Sequence, residues 1–380
     1  MKKTELFFIT GMLRTGTTLL DKLLHNHPEA RSLSQPAQPL FLYCKKRFLE
    51  QAGLPVNYLI LSHYFAEKNY QPETFKAFLN EFQLNDEQLS YVNAEIEKLR
   101  QKNTFFTKAA ALQREPHSSF LGLYKQLVED ENDPALAAGL KESLSEEYMP
   151  YLLEHGVKCI VVFRDPRDTM ASSYFGSGKK YTGPAKPLLL MLRNWRKSLA
   201  FALELAKDKN FLSVRYEDLV ADTNGSMERI TSFLGLSSVD FTQMELKNQD
   251  GQAWSGNSSF ESISGVSGQS VGTFRKQMPC EMQHFIESVC FPEMRYLKYE
   301  TDITTPDLKL ISEYSDPFEE GEGPAADAYR AESAAGRVNE IERLQLLNKS
   351  NVAESVLRQY FVYPAAYAGL RASLSAALKS

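Results

Sequence analysis

The chain has 380 residues, 43% of them hydrophobic and 24% charged, a globular composition that excludes a mainly disordered protein. Its formal net charge of −5 supplies no global basic field, which argues against a nucleic-acid partner or a long polyanionic substrate. Four cysteines, Cys44, Cys159, Cys280 and Cys290, are scattered without paired spacing, as expected of reduced thiols in a cytoplasmic protein.

Residues 6–10 (LFFIT) read as a short strand, and their apolar run is too brief for a secretory leader. No window approaches the roughly 18 apolar residues of a spanning helix, so no membrane span is expected. A glycine-threonine loop follows in "TGMLRTGTTLL", and then a helix with apolar residues at helical spacing, stopped by Pro28. Gly11, Gly16 and Thr18 match the nucleotide loop G-x-x-x-x-G-K-S/T, but Thr17 stands where that loop has lysine, and the nearest cation is Arg14. Backbone N–H groups at the start of a helix bind anionic oxygens, so the loop reads as an anion site without the lysine of a metal-dependent kinase.

From about residue 40 to 140 the chain reads as a helical insertion, rich in aromatics (Phe41, Tyr43, Phe48, Tyr58, Tyr64, Phe65) that suit either an acceptor pocket or the insertion's own core. The strand–turn–helix grammar then returns in "KCIVVFRDPRDTMASSYF", with a continuous apolar run expected of a strand buried on both faces. A further strand lies in "NFLSVRYEDL". Alternating strands and helices predict an α/β fold of three layers around a central parallel sheet. Residues 254–277 are rich in glycine and serine and read as a loop near a site. Residues 301–335, acidic and small-residue-rich from 312, read as a linker, and 336–380 as a helical C-terminal extension that packs on the core, binds a partner or supports a homodimer. His and Cys are too dispersed for a metal site.

The segment "LRTGTTLL" resembles the 5′-phosphosulfate loop of sulfotransferases that use 3′-phosphoadenosine 5′-phosphosulfate (PAPS), and with "LLHNHPEA" it looks most like the tyrosylprotein-type and bacterial branch. The resemblance implies a P-loop-like fold for residues 1–300 and metal-free transfer of a sulfuryl group from PAPS to a hydroxyl or amine, with PAP as product. It assigns Gly11, Arg14, Thr15, Gly16, Thr17 and Thr18 to the phosphosulfate. In "FRDPRDTMASS" it assigns Arg164 and Ser172, eight positions apart, to the 3′-phosphate. Tyr216 in "VRYEDL" is similar to the family's adenine contact, and Arg275 and Lys276 in "VGTFRKQ" to a loop that closes over the nucleotide. Lys141 in "GLKESL" is similar to the lysine that reaches the transferring group.

In the tyrosylprotein branch a glutamate follows the loop arginine by 21 residues; here that position is Gln35, which takes no proton, and this points away from protein-tyrosine sulfation. Glu142 beside Lys141 is the candidate base and His117 its rival. A small-molecule acceptor, a secondary metabolite or a sugar-like compound, fits the helical insertion. A P-loop small-molecule kinase with a degenerate loop, or a non-catalytic nucleotide-binding or assembly module, remain the alternative readings.

Overall fold

The computed structural model describes residues 4–53, 71–102, 111–114, 119–130, 135–176, 187–256, 265–318 and 336–377. Five strands, β1 (Glu5–Thr10), β2 (Ala30–Ser34), β3 (Ala137–Lys141), β4 (Lys158–Phe163) and β5 (Phe211–Arg215), form one parallel sheet in the order β2-β3-β1-β4-β5. The three central strands, β1, β3 and β4, are buried on both faces because both are covered. In β1, Phe7 and Ile9 enter one core, whereas Leu6 and Phe8 enter the other.

On the first face lie α1 (Thr17–His25), through Leu19, Leu20, Leu23 and Leu24, and the helix Thr223–Leu234. The opposite face is covered by α2 (Gln38–Gln51), α5 (Phe120–Val128), α6 (Met149–Glu154), α7 (Pro166–Tyr174) and the helix Leu188–Leu205. These are the three layers that the strand–helix alternation predicts. Chain order reverses at β1, which pairs with β3 on one side and β4 on the other. Loops leaving the C-terminal ends of neighbouring strands diverge at such a point and open a crevice between them. Register places Ser34, Lys141 and Ile9 abreast at that edge.

The insertion contributes α2, α3 (Pro72–Glu81), α4 (Asp86–Lys102) and α5. Its aromatics Phe41 and Phe48 are core residues, not pocket walls: Phe41 meets Tyr148 at 4.8 Å between ring centroids, and Phe48 meets Phe75 at 5.2 Å. Tyr43 packs on Tyr91 at 5.7 Å, while Tyr58, Tyr64 and Phe65 lie outside the described residues. The first part of the expected linker is also packed structure. The helix Leu308–Glu313 buries Ile311, Tyr314 stacks on Phe285 at 4.2 Å, and Asp316 accepts from the Leu188 N–H. Residues 319–335 lie outside the described residues.

The C-terminal segment docks on the core. Glu340 is buried and accepts from Arg193, Arg196 and Arg343, and Arg343 also donates to Glu293. The helix Pro364–Ala377 packs against the helices Cys280–Tyr296 and Leu188–Leu205. Burial disfavours the Glu340 carboxylate, but the guanidiniums of Arg196, Arg193 and Arg343 outweigh it and hold the group well below the usual carboxylate range. A depressed pKa means stability that is present above the unfolded-state value, near 4.3, and is lost as pH falls below it. Replacing Glu340 by alanine leaves three guanidiniums without their shared partner, and urea unfolding should show a loss of about 3–5 kcal/mol at neutral pH. That difference from the parent should narrow as the pH falls below about 4.

Candidate active site

The loop between β1 and α1 is held by its own side chains. Thr15 Oγ1 donates to the Met12 carbonyl at 2.7 Å, and Arg14 adopts a left-handed backbone with φ 68°. Gly16, at the N-cap of α1, has φ 96°, and a Cβ there would lie 2.3 Å from the Tyr216 ring. No side chain caps α1 and no acidic residue sits in its first turn. The first N–H groups of a helix have no intrahelical partner, and the dipole makes this end positive. Gly16, Thr17 and Thr18 therefore present a short anion cradle at the crevice, with Gly11 placed so that a Cβ would lie 2.6 Å from the Val162 carbonyl.

The second cation reaches the same place from β4. Arg164 follows the strand, and Asp165 caps α7 by accepting from the Arg167 N–H at 2.8 Å. Arg164 Nη1 donates to the Arg14 carbonyl at 3.2 Å, Nη2 donates to the Ser270 carbonyl, and the guanidinium lies 4.8 Å over the Tyr216 ring. Its Nε is buried with no hydrogen-bond partner among the described residues. Arg14 Nε in turn donates to Ser172 Oγ at 2.8 Å. Arg14, Arg164, Ser172 and Tyr216, far apart in sequence, thus share one hydrogen-bonded cluster beside the α1 N-terminus.

Tyr216 begins the helix Tyr216–Ala221, and its hydroxyl pairs with Ser270 Oγ at 2.6 Å. Glu217 braces the neighbouring backbone, accepting from the Asp165 N–H at 2.8 Å and from the Tyr299 hydroxyl at 3.1 Å. Arg275 and Lys276 are not brought into this cluster. Arg275 pairs with Asp302 at 3.6 Å on the surface, and Lys276 is exposed.

Two residues of the cluster escaped the sequence reading. Asp168 accepts from the N–H groups of Gly272 and Phe274, at 2.7 and 3.0 Å, and from Thr273 Oγ1 at 3.0 Å. It anchors the segment that Ser270 belongs to. Burial pushes the Asp168 carboxyl up, against the nearby charge of Arg164. Its place one turn after Arg164 was a readable signal; Ser270 gave none.

Lys141 and Glu142 close the other side of the crevice. Both are buried, at 2% and 1% exposure. Lys141 Nζ donates to Gln35 Oε1 at 2.8 Å, and Gln35 Nε2 donates to Glu142 Oε1 at 3.1 Å. Burial pushes Glu142 up to about 7, although Lys141, the Gln35 hydrogen bond and Lys45 all favour the charged form. Burial likewise lowers Lys141, partly opposed by Asp21 and Glu142. The rival base His117 lies outside the described residues.

Among the described residues no helix is long and apolar enough to cross a membrane. No curated protein matches the chain. Solved structures similar to the chain include the sulfotransferase domain of the Synechococcus PCC 7002 olefin synthase, at 20% identity and TM-score 0.40, covering 74% of this chain and 90% of that one. The sulfotransferase domain from the curacin biosynthetic pathway is 18% identical with TM-score 0.41, covering 79% and 100%. A retinol dehydratase in complex with androsterone and inactive cofactor PAP is 19% identical with TM-score 0.39, covering 80% and 84%. A profile of the sulfotransferase family matches residues 7–240, more than half the chain, a span that contains the glycine-threonine loop, Lys141, the Arg164–Ser172 pair and Tyr216. The chain belongs to the sulfotransferase family.

Proposed function

We propose that the protein transfers a sulfuryl group from PAPS to a hydroxyl or amine of a small-molecule acceptor. The observation that carries this reading is the joining of Arg14, Arg164 and Ser172 beside the uncapped start of α1. Two cations and a hydroxyl there lie next to a row of unsatisfied N–H groups, which suits a nucleotide with phosphate at both 5′ and 3′ positions. Arg164 Nε, buried and without a hydrogen-bond partner among the described residues, is a donor available to such an oxygen.

When bound, PAPS supplies an activated sulfuryl group. The α1 N-terminus, with Thr15, Gly16, Thr17 and Thr18, would hold the 5′-phosphosulfate, and Arg164 with Ser172 the 3′-phosphate. Tyr216 would bear on the adenine side. Arg14 and Lys141 would stabilise the charge that develops on the bridging and equatorial oxygens, which is where fixed cations lower a barrier most. Glu142 would accept the proton that the acceptor releases. A carboxyl titrating near 7 suits that role, because a general base works best with a pKa close to the working pH.

Thermal-shift titration tests the donor site first. PAP should raise the melting temperature well beyond ADP, and equally with and without Mg²⁺; saturation at about 100 times Kd corresponds to roughly 2.7 kcal/mol of added stability. In Arg164→Ala the advantage of PAP over ADP should vanish. Stabilisation by ATP with Mg²⁺ and none by PAP would sink the reading in favour of a kinase.

Release of PAP from PAPS, with water in place of the acceptor, tests the chemistry. Arg14→Ala should lower that rate by about 10²–10³ while PAP affinity stays within a few-fold. In the parent the rate should climb with pH and level off above about 7 as Glu142 ionises, and Glu142→Gln should abolish that limb. Finally, Gly16→Ala should cost both stability and PAP binding, since its methyl meets the Tyr216 ring, whereas Thr18→Ser should spare both.

A further inference from the structure

Lys141 and Glu142 are neighbours in sequence, both buried at the end of β3, and opposite in charge. No direct ion pair joins them among the described residues. The side chain of Gln35, just past the end of β2, stands between them. Its oxygen takes the ammonium at 2.8 Å and its nitrogen gives to the carboxylate at 3.1 Å. The orientation is forced, because an ammonium has only donors and a carboxylate only acceptors. A neutral amide is the side chain that satisfies both ends without adding charge.

The backbone supports the same role. Gln35 sits at φ 46°, in the left-handed region that a non-glycine residue enters only when its surroundings impose it. Its N–H donates to the Lys141 carbonyl at 2.8 Å, so the residue is tied to the strand it serves at both backbone and side chain. Glu142 Oε2, meanwhile, is buried and has no hydrogen-bond partner among the described residues. A buried carboxylate oxygen left open costs stability, which is why such groups are uncommon away from working sites.

We propose that Gln35 is a positioning residue that keeps Lys141 and Glu142 apart, reserving the ammonium for the transferring group and the open carboxylate oxygen for the acceptor's proton. This inference rests on the sulfuryl-transfer reading above. The charged and titratable groups around the pair come from several elements. Lys45 of α2 and Tyr148, in the turn before α6, face Glu142, and Asp21 and Lys22 of α1 face Lys141. Burial raises the carboxyl, while Lys141, the Gln35 hydrogen bond and Lys45 favour its charged form.

Two substitutions at Gln35 should move Glu142 in opposite directions. Gln35→Ala removes the amide's own hydrogen bond to the carboxylate but lets the ammonium reach it; the charge contact is the larger effect, so the Glu142 midpoint should fall, by about one unit. Gln35→Glu places a second negative charge beside it, and the midpoint should rise by a similar amount. The midpoint is read by ¹³C NMR of protein labelled at glutamate carboxyl carbons, with Glu142→Gln identifying the resonance. In parallel, the acidic limb of PAP release from PAPS, water standing in as acceptor, should shift the same way in each variant. PAP-induced thermal stabilisation should be unchanged in both, which separates a positioning effect from misfolding.

A Glu142 midpoint that stays in place in Gln35→Ala overturns the proposal. So does a midpoint that shifts while the pH limb of PAP release does not, because Gln35 would then position nothing in the reaction. If the parent protein releases no PAP from PAPS at any pH, the sulfuryl-transfer reading fails, and the NMR midpoints still decide whether Gln35 separates the pair.

Discussion

The seat of the Arg164 guanidinium fixes the geometry of the crevice. A buried guanidinium has lost its hydration and must recover it from fixed partners. Here these are the carbonyls of Arg14 and Ser270, the face of Tyr216, and Asp168 at 4.0 Å. Each partner belongs to a different segment: the loop after β1, the stretch around Ser270, the start of the helix after β5, and α7. One side chain therefore sets the spacing of four segments that the sheet alone would leave independent. The backbone of Arg164 is pinned as well, since Trp195 Nε1 donates to its carbonyl at 2.9 Å.

Two buried ionic networks hold this edge from behind. Lys45 donates to the Leu144 carbonyl at 2.6 Å and lies 3.3 Å from Glu147, while Lys197 contacts Glu146 and Glu147 at 3.0 and 2.6 Å. Because Leu144 lies two residues after Glu142, the first network fixes the turn that carries the carboxyl. The second gathers Arg193, Arg196 and Arg343 around Glu340 and seats the C-terminal segment. Both draw on the helix Leu188–Leu205, which also supplies Trp195. Ion pairs of this kind add little over well-packed apolar groups but are costly to break singly, so their effect is to hold one arrangement. Of the three roles that the sequence left open for the C-terminal extension, the described residues show packing on the core, through Glu340 and Arg343.

The sheet and the turn between β1 and α1 were legible because their signals are local. Apolar runs such as Cys159–Phe163 and a glycine-threonine turn between strand and helix need no distant partner to be recognised. Arg164 and Ser172 could be singled out because they lie eight positions apart in one strand–turn–helix unit, Arg164 just after β4 and Ser172 in α7. What failed was what depends on the path of a long loop. Arg275 has the right charge for a phosphate, yet it meets Asp302 instead, and nothing near residue 275 announces that. The linker reading over 301–335 rested on composition, and Ile311 and Tyr314 are enough to dock its first part on the core. Phe41 and Phe48 could have lined a pocket or filled a core, and only the positions of Phe75 and Tyr148 decide for the core. Gln35 was noticed as a lost base; its role as a bridge needed both neighbours in place.

Backbone strain collects at this edge of the sheet. Of the five non-glycine residues with positive φ among the described residues, Arg14, Gln35 and Leu144 lie in the loops that leave β1, β2 and β3. The buried atoms without partners include Arg164 Nε and Glu142 Oε2. Each lowers stability, and Glu142 does so in a pH-dependent way. Its folded-state pKa is raised, so the stability associated with its proton is complete below the unfolded carboxylate value and is lost as pH rises through about 7. By the pH at which Glu142 ionises in the fold, that stability is therefore largely gone. A crevice of this kind persists only where the surrounding structure over-determines it, and here that means an apolar core on both faces of the sheet together with the two ionic networks behind the turn. Relieving the edge, by pairing Glu142 directly with Lys141 or by capping α1, would make the molecule more stable and remove the features on which the proposed transfer rests.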